Sequence, residues 1–106
     1  MKELKVFVSQ PMKDRSVSEI TEERNRIFYN FAQNHPDESV KEIPSYDPCL
    51  PKMGNSLYCL GWSLQMLAQA DVAVFARDWR SARGCEMEHR ACLMYGIPIE
   101  YDGVEQ

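Results

Sequence analysis

The sequence lacks a run of apolar residues long enough to cross a membrane, which takes about 18 or more in succession. The first five residues carry charge and lead directly into a strand-like segment, without the apolar core of a signal peptide. We therefore expect a cytoplasmic protein that has no membrane partner.

The chain also lacks the residue clusters that mark nucleic-acid and metal sites. Its net charge is −4 and its Lys and Arg residues are scattered, so polymeric DNA or RNA is not an expected partner. No Cys-x-x-Cys pair occurs, which favours reduced thiols and no metal site. The four cysteines are Cys49, Cys59, Cys85 and Cys92. We predict no cofactor.

Histidine is scarce, with only His35 and His89 in the chain. The first lies at a predicted helix end and the second on the polar face of a predicted helix, so both are expected to face solvent. A Ser-His or Cys-His nucleophile pair therefore has no support.

Ordinary globular composition is what the sequence does have. Hydrophobic residues make up 44% and charged residues 26% of 106 residues, which predicts one folded domain over 1–106. Apolar periodicity predicts helices over 17–34, 55–69 and 83–95, the first opened by a capping box at Ser16 and Glu19 and the second carried by a leucine ladder. The predicted strands are 4–9, a weak one at 39–43, 72–76 and 97–101.

This alternation of strands and helices predicts a three-layer, flavodoxin-like or Rossmann-like α/β domain. Its sheet would be mostly parallel, with four to five strands and helices on both faces. In such sheets ligands bind outside the carboxyl ends of the strands. We therefore expect the functional residues in the loops that follow the strands.

One acidic residue of the third predicted helix, Glu88, falls on an apolar arc. The arc comprises Cys85, Met87, Ala91, Cys92 and Tyr95, and the opposite face carries Glu86, His89 and Arg90. A carboxylate at a core-facing position costs free energy unless it is paired, protonated or functional. The structural interpretation pairs Glu88 with a backbone group or with Arg77 or Arg83.

Three loops hold further candidates. The loop after the first strand could hold a sugar or phosphate oxygen through backbone N–H groups and a helix start, although the glycines of a phosphate-binding fingerprint are missing. The loop after the central strand offers an acid, an aromatic ring suited to stacking on a base, and a hydroxyl. A proline-rich loop adds a carboxylate. The candidates are Ser9, Gln10, Pro11, Met12, Asp47, Asp78, Trp79 and Ser81.

The run Ala70 to Phe75, the pair Asp78-Trp79 and the run Ser81 to Glu88 resemble the nucleoside 2-deoxyribosyltransferase superfamily, most of all its short branch. The family pattern is a small-residue turn, a Gly and, four residues later, a Glu that is the nucleophile. The residues in register are Gly84, Glu88, Ala91, Gly96 and Pro98. The resemblance implies that Glu88 is the nucleophile and that Gly84 lies in the substrate site.

Two positions depart from the family pattern. The first loop, Ser9 to Met12, is similar to a Ser-Gly-Pro-Met turn that contacts the sugar, but Gln10 replaces the glycine. Ser63 stands where relatives often have an Asp. If that Asp handles the leaving base, its role passes here to Asp78, to Asp47 or to no residue.

The resemblance implies an enzyme that cleaves the N-glycosidic bond of a small nucleoside or nucleotide, by deoxyribosyl transfer or hydrolysis. Glu88 would be the nucleophile and Asp78 the acid, with Tyr46 or Asp47 as alternatives. A non-catalytic nucleotide-binding module with a degenerate site, and a structural or interaction domain with an exposed Met- and Tyr-rich surface, are the competing hypotheses. We also expect a homo-oligomer, at least a dimer, that associates through the second and third helices.

Overall fold

Four parallel strands form one sheet in the order β2-β1-β3-β4. The computed structural model describes residues 3–47 and 56–103. The strands are β1 (Glu3–Ser9), β2 (Ser39–Glu42), β3 (Val72–Phe75) and β4 (Ile99–Tyr101). The helices are α1 (Val17–Gln33), α2 (Ser56–Leu67) and α3 (Arg83–Tyr95), with a short 3-10 turn at Trp79–Ser81.

Side chains of the two central strands build a separate hydrophobic core on each face of the sheet. Val6 and Val8 of β1 pack on one face with Ile27 and Phe31 of α1. On the other face Phe7 packs with residues of α2 and α3, such as Leu67 and Cys92. The predicted three-layer α/β fold class is therefore confirmed.

The sequence signals that predict α1 and α2 have different outcomes. Ser16 caps α1 by accepting a hydrogen bond from the Glu19 N–H, and Glu19 accepts one from the Ser16 N–H, so the capping box is present. The predicted start of the second helix, at residue 55, lies outside the described residues. Of the α2 leucine ladder only Leu67 is buried, and Leu57 is 74% exposed.

Helix α3 has the predicted bounds but a different buried face. Its buried residues are Cys85, Glu88 and Cys92, whereas Met87 and Tyr95 are exposed. At about 100° per residue the buried stripe is centred near Cys85 and Cys92, which places Met87 on the far side. The predicted arc is too wide, because it assigns Met87 and Tyr95 to the core on hydropathy alone.

No helix among residues 3–47 and 56–103 is long and apolar enough to span a lipid bilayer.

Candidate active site at the carboxyl ends of β1 and β3

The strand order places a topological switch point between the carboxyl ends of β1 and β3. From β1 the chain crosses to β2 on one side, and it then returns to β3 on the other side of β1. The ends of the two strands are joined where the Ala76 N–H donates to the Ser9 carbonyl at 2.9 Å. The loops that follow diverge from this point, and such a switch point is the usual ligand site of an open α/β sheet.

Glu88 reaches the switch point from the first half of α3. The Ser9 hydroxyl donates a hydrogen bond to Glu88 Oε1 at 2.6 Å, and both side chains are buried. Burial raises the pKa of Glu88 to about 7, while the Ser9 hydrogen bond and the positive charge of Arg24 act in the opposite direction. The carboxyl group is therefore poised to change its ionisation near neutral pH.

Two thiols of α3 surround Glu88 on its own helix. Burial raises the pKa of Cys85 to about 12 and that of Cys92 to about 11, and the nearby charge of Glu88 adds to both shifts. Both thiols are thus protonated at neutral pH and serve as small apolar side chains. Cys59 is also a free thiol, and Cys49 lies outside the described residues.

Gln10 occupies the position of the family glycine, and its side chain points into the protein. Its Nε2 donates to Glu23 Oε1 at 2.7 Å and to the Ile20 carbonyl at 3.3 Å, and its Oε1 accepts from Arg24 at 3.0 Å. Pro11 is buried and Met12 is half-buried. The amide therefore ties the first loop to α1.

Asp78 lies in the loop after β3, with its side chain 44% exposed. Its carboxylate pairs with Arg15, which also binds Glu23 at 3.0 Å. Among the described residues, no hydrogen bond or ion pair joins Asp78 to Glu88. The pair of Arg15 and Asp78 bridges the first loop and the loop after β3.

Trp79 is buried, and other side chains already cover its ring. It stacks on His89 at a centroid distance of 4.0 Å, and the Arg80 guanidinium lies 5.0 Å from its centre. His89 Nε2 is 2.6 Å from the Tyr101 hydroxyl. The ring predicted to stack on a base therefore belongs to an aromatic cluster, and the prediction that His89 faces solvent is wrong.

The segment before α3 leaves the helix start without a side-chain cap. Ser81 is exposed and donates to the Asp78 carbonyl at 2.8 Å, so its hydroxyl closes the turn. A Cβ at Gly84, in the first turn, would meet no atom within 4 Å. Uncapped N–H groups at such a helix start can bind an anionic oxygen. The start of α1, by contrast, is closed by its own capping box.

The remaining predicted residues lie on the β2 side of the site. Tyr46 is half-buried beside Arg24, at 6.0 Å from guanidinium to ring centre, and Asp47 is exposed. Ser63 is half-buried on α2. A cleft of about 280 Å³ opens here, and Glu88 does not line it. Its lining residues are Thr21, Arg24, Asn25, Glu42, Pro44 and Tyr46.

Arg24 is the main residue of the site that the sequence interpretation missed. It is buried and donates to the Val8 carbonyl, to Gln10 and to Ser45. The expected partners of Glu88, Arg77 and Arg83, are not its partners; Arg77 lies near Asp102 instead. A signal was present, because Arg24 shares one helical stripe with the buried residues Ile20, Ile27 and Phe31.

Within 3–47 and 56–103 there is no group of three His, Cys, Asp or Glu side chains that could hold a metal ion.

Comparison of the chain with protein-family models, with curated proteins and with solved structures gave no match. The resemblance to the nucleoside 2-deoxyribosyltransferase superfamily therefore rests on the sequence motifs alone.

Proposed function

We propose that this chain cleaves the N-glycosidic bond of a nucleoside or nucleotide with Glu88 as the nucleophile. The observation that carries the proposal is the buried Glu88 carboxyl group, hydrogen-bonded to Ser9 at the switch point of the sheet. Its pKa of about 7 means that a substantial fraction is ionised at neutral pH. The superfamily motif names the same residue independently of this geometry.

In the first step an oxygen of the Glu88 carboxylate bonds to the anomeric carbon while the bond from that carbon to the base nitrogen breaks. The electron pair of the broken bond stays on the base, which takes a proton from an acid. In the second step water or another base attacks the anomeric carbon and gives its proton to the group that acted as the acid, while the bond from that carbon to the Glu88 oxygen breaks and releases the carboxylate. Two displacements retain the configuration of the sugar.

Asp78 remains the proposed acid, with Tyr46 and Asp47 as alternatives. Asp78 is at the same edge of the sheet but is held by Arg15, so it would act only after the substrate displaces this partner. The uncapped start of α3, with Gly84 and Ser81, is the proposed site for the 5′ oxygen or phosphate of the sugar. Ser9 and the first loop would contact the sugar itself.

Glu88→Gln and Glu88→Ala test the nucleophile. Purified protein is incubated with deoxynucleosides and their monophosphates, and the released base is quantified by chromatography. We expect release by the wild type and its abolition in both variants. Glu86→Gln is the matched control, because Glu86 is exposed on the same helix, and it should retain the activity. Equal release by wild type and Glu88→Gln would remove Glu88 from the mechanism.

One observation favours a second candidate function, that of an interaction domain in which Glu88 is structural. Glu88 is only 7% exposed and lines neither the cleft beside Tyr46 nor a smaller one beside Asp102. Apolar side chains of α2 and α3 face outwards instead. They are Leu57, Tyr58, Met87, Leu93, Met94 and Tyr95. These side chains also support the proposal of a homo-oligomer that associates through α2 and α3.

A thermal-shift screen separates the candidates. A catalytic or merely nucleotide-binding site is stabilised by nucleotides, with a shift that grows with the logarithm of a concentration above the Kd, and only the catalytic one consumes them. An interaction domain shows no shift with any nucleoside or nucleotide.

A further inference from the structure

Arg24 makes more polar contacts than any other side chain of the site, and it is 4% exposed. Its Nε and Nη2 lie 3.2 and 3.1 Å from Glu42 Oε2, and Nη2 donates to the Ser45 hydroxyl at 2.7 Å. Its Nη1 donates to the Val8 carbonyl at 3.3 Å and to Gln10 Oε1 at 3.0 Å. A buried guanidinium with this many partners has its position well determined.

The contacts of Nη1 lie on both sides of Ser9 along the chain. Val8 and Gln10 are its direct neighbours, and Ser9 in turn donates the hydrogen bond to Glu88. Any shift of the guanidinium therefore moves the backbone that carries the Ser9 hydroxyl. Through these contacts Arg24 helps to position the Ser9 hydroxyl that donates to Glu88.

Few charged groups bear on Glu88 among the described residues. Arg24 approaches from α1, and its charge favours the carboxylate form of Glu88. Cys85 and Cys92 on α3 are neutral thiols, and the charges of Arg15 and Asp78 act on Cys85. Glu42 and Tyr46 lie on the far side of Arg24, and Glu42 offsets part of its charge. The guanidinium thus pairs directly with Glu42 and acts on Glu88 through its charge alone.

We propose that Arg24 is a positioning residue for Glu88, which holds the Ser9 hydroxyl at the Glu88 carboxyl group through Val8 and Gln10 and brings to this side of the site a positive charge that Glu42 partly offsets. This inference rests on the proposed role of Glu88 as nucleophile. It assigns a role toward Glu88 to two residues outside the superfamily motif.

The test follows the ionisation of Glu88 directly in the free protein. Carbon-13 NMR of the glutamate carboxyl groups is recorded against pH, and the Glu88 signal is assigned by its loss in Glu88→Gln. Arg24→Met should raise the titration midpoint of Glu88 by at least about half a unit, and Glu42→Gln should lower it. Arg24→Lys keeps the charge and should raise the midpoint less than Arg24→Met does.

Arg24→Met and Glu42→Gln should shift the Glu88 midpoint in opposite directions. This separates an electrostatic role from a purely structural one, because a general loosening of the fold would shift the midpoint in the same direction in both variants. Arg26→Met removes the same charge from the same helix and should leave the midpoint unchanged, since Arg26 pairs with Asp102 instead. A wild-type midpoint in either Arg24→Met or Glu42→Gln overturns the proposal, as does an equal shift in Arg26→Met. If Arg24→Met does not fold, Glu42→Gln decides.

The readout does not use a substrate, so its result is independent of the base-release assay. If the midpoints shift but no base is released, the role of Arg24 toward Glu88 is supported and only the proposed reaction is refuted. Where base release is found, the acidic limb of kcat/KM should move to higher pH in Arg24→Met, because the nucleophile must be ionised.

Discussion

The Ser9 hydroxyl and the Glu88 carboxyl group are joined by a hydrogen bond of 2.6 Å, although 79 positions separate them in the chain. Ser9 is the last residue of β1, and Glu88 lies in the second turn of α3. The contact therefore forms only after β3 has paired with β1 and α3 has packed on the sheet. It places a titratable group with a raised pKa at the point where ligands bind in this fold class.

Glu88→Gln should stabilise the protein at pH 8 and have little effect near pH 4.5. The folded protein retains the Glu88 proton up to a pKa of about 7, whereas the unfolded chain loses it near the ordinary value of 4.5. The stabilising contribution of the protonated group is therefore complete below pH 4.5 and is lost as the pH rises to 7, by up to roughly 3 kcal/mol. Gln keeps an acceptor for Ser9 and cannot ionise.

Urea unfolding at the two pH values measures this effect. Glu86→Gln is the control on the exposed face of α3, and its stability should follow the wild type at both values. A Glu88→Gln variant that is less stable than wild type at pH 8 would contradict the prediction.

Ser9→Ala should make Glu88 harder to ionise. The hydroxyl favours the carboxylate form, and its removal leaves a buried charge without its donor, so the pKa of Glu88 should rise above about 7. At pH 8 the stability should fall by about 1.5–3 kcal/mol, the value of a hydrogen bond to a charged group, and by less at pH 5. The same NMR titration and urea unfolding check this, with exposed Ser18→Ala as control. Equal losses at both pH values would speak against it.

His35 should contribute a second, smaller pH dependence. It is stacked on Phe31, and its ring nitrogens are 2.8 Å from Glu38 and 3.0 Å from Glu100. Burial lowers the pKa of His35, but hydrogen bonds with Glu100 and Glu38 outweigh this and raise it above 6.5. The stabilisation is therefore present below pH 6.5 and is lost as the pH rises through the raised pKa.

His35→Asn in a Glu88→Gln background isolates this contribution. Between pH 5.5 and 8.5 the free energy of unfolding should fall less in the double variant than in Glu88→Gln alone. The difference between the two falls should be less than about 1 kcal/mol, because the partners of His35 are partly exposed. Thermal unfolding at the two pH values measures it. An equal fall in both variants would show that the His35 ion pairs do not contribute.

Leu57→Glu should weaken self-association if α2 forms the interface. Leu57 is the most exposed large apolar residue of α2, and a charge buried between protomers is costly. Light scattering coupled to size exclusion should show an oligomer for the wild type and a smaller mass for the variant. Val17→Glu introduces the same charge at an exposed apolar residue of α1 and should leave the mass unchanged. A monomeric wild type would refute the predicted homo-oligomer.

Local patterns predicted the elements well, because capping and periodicity act over a few residues. The capping box at Ser16 and Glu19 is formed, and the apolar run 72–76 is the central strand with every residue of Val72–Phe75 buried. The fold class follows from the order of these elements. The same patterns overestimated the buried faces of α2 and α3, since apolar side chains such as Leu57 and Met87 remain exposed.

The sequence by itself determined the sheet, its helices and the unusual position of one acidic residue, Glu88, because these depend on residue type and helical spacing. Only the tertiary structure decided its environment. Parallel pairing of β1 with β3 brings Ser9 to its carboxyl group, and packing of α1 brings the charge of Arg24 near it. Contacts between residues more than 60 positions apart follow from how the layers pack, and no local pattern encodes them.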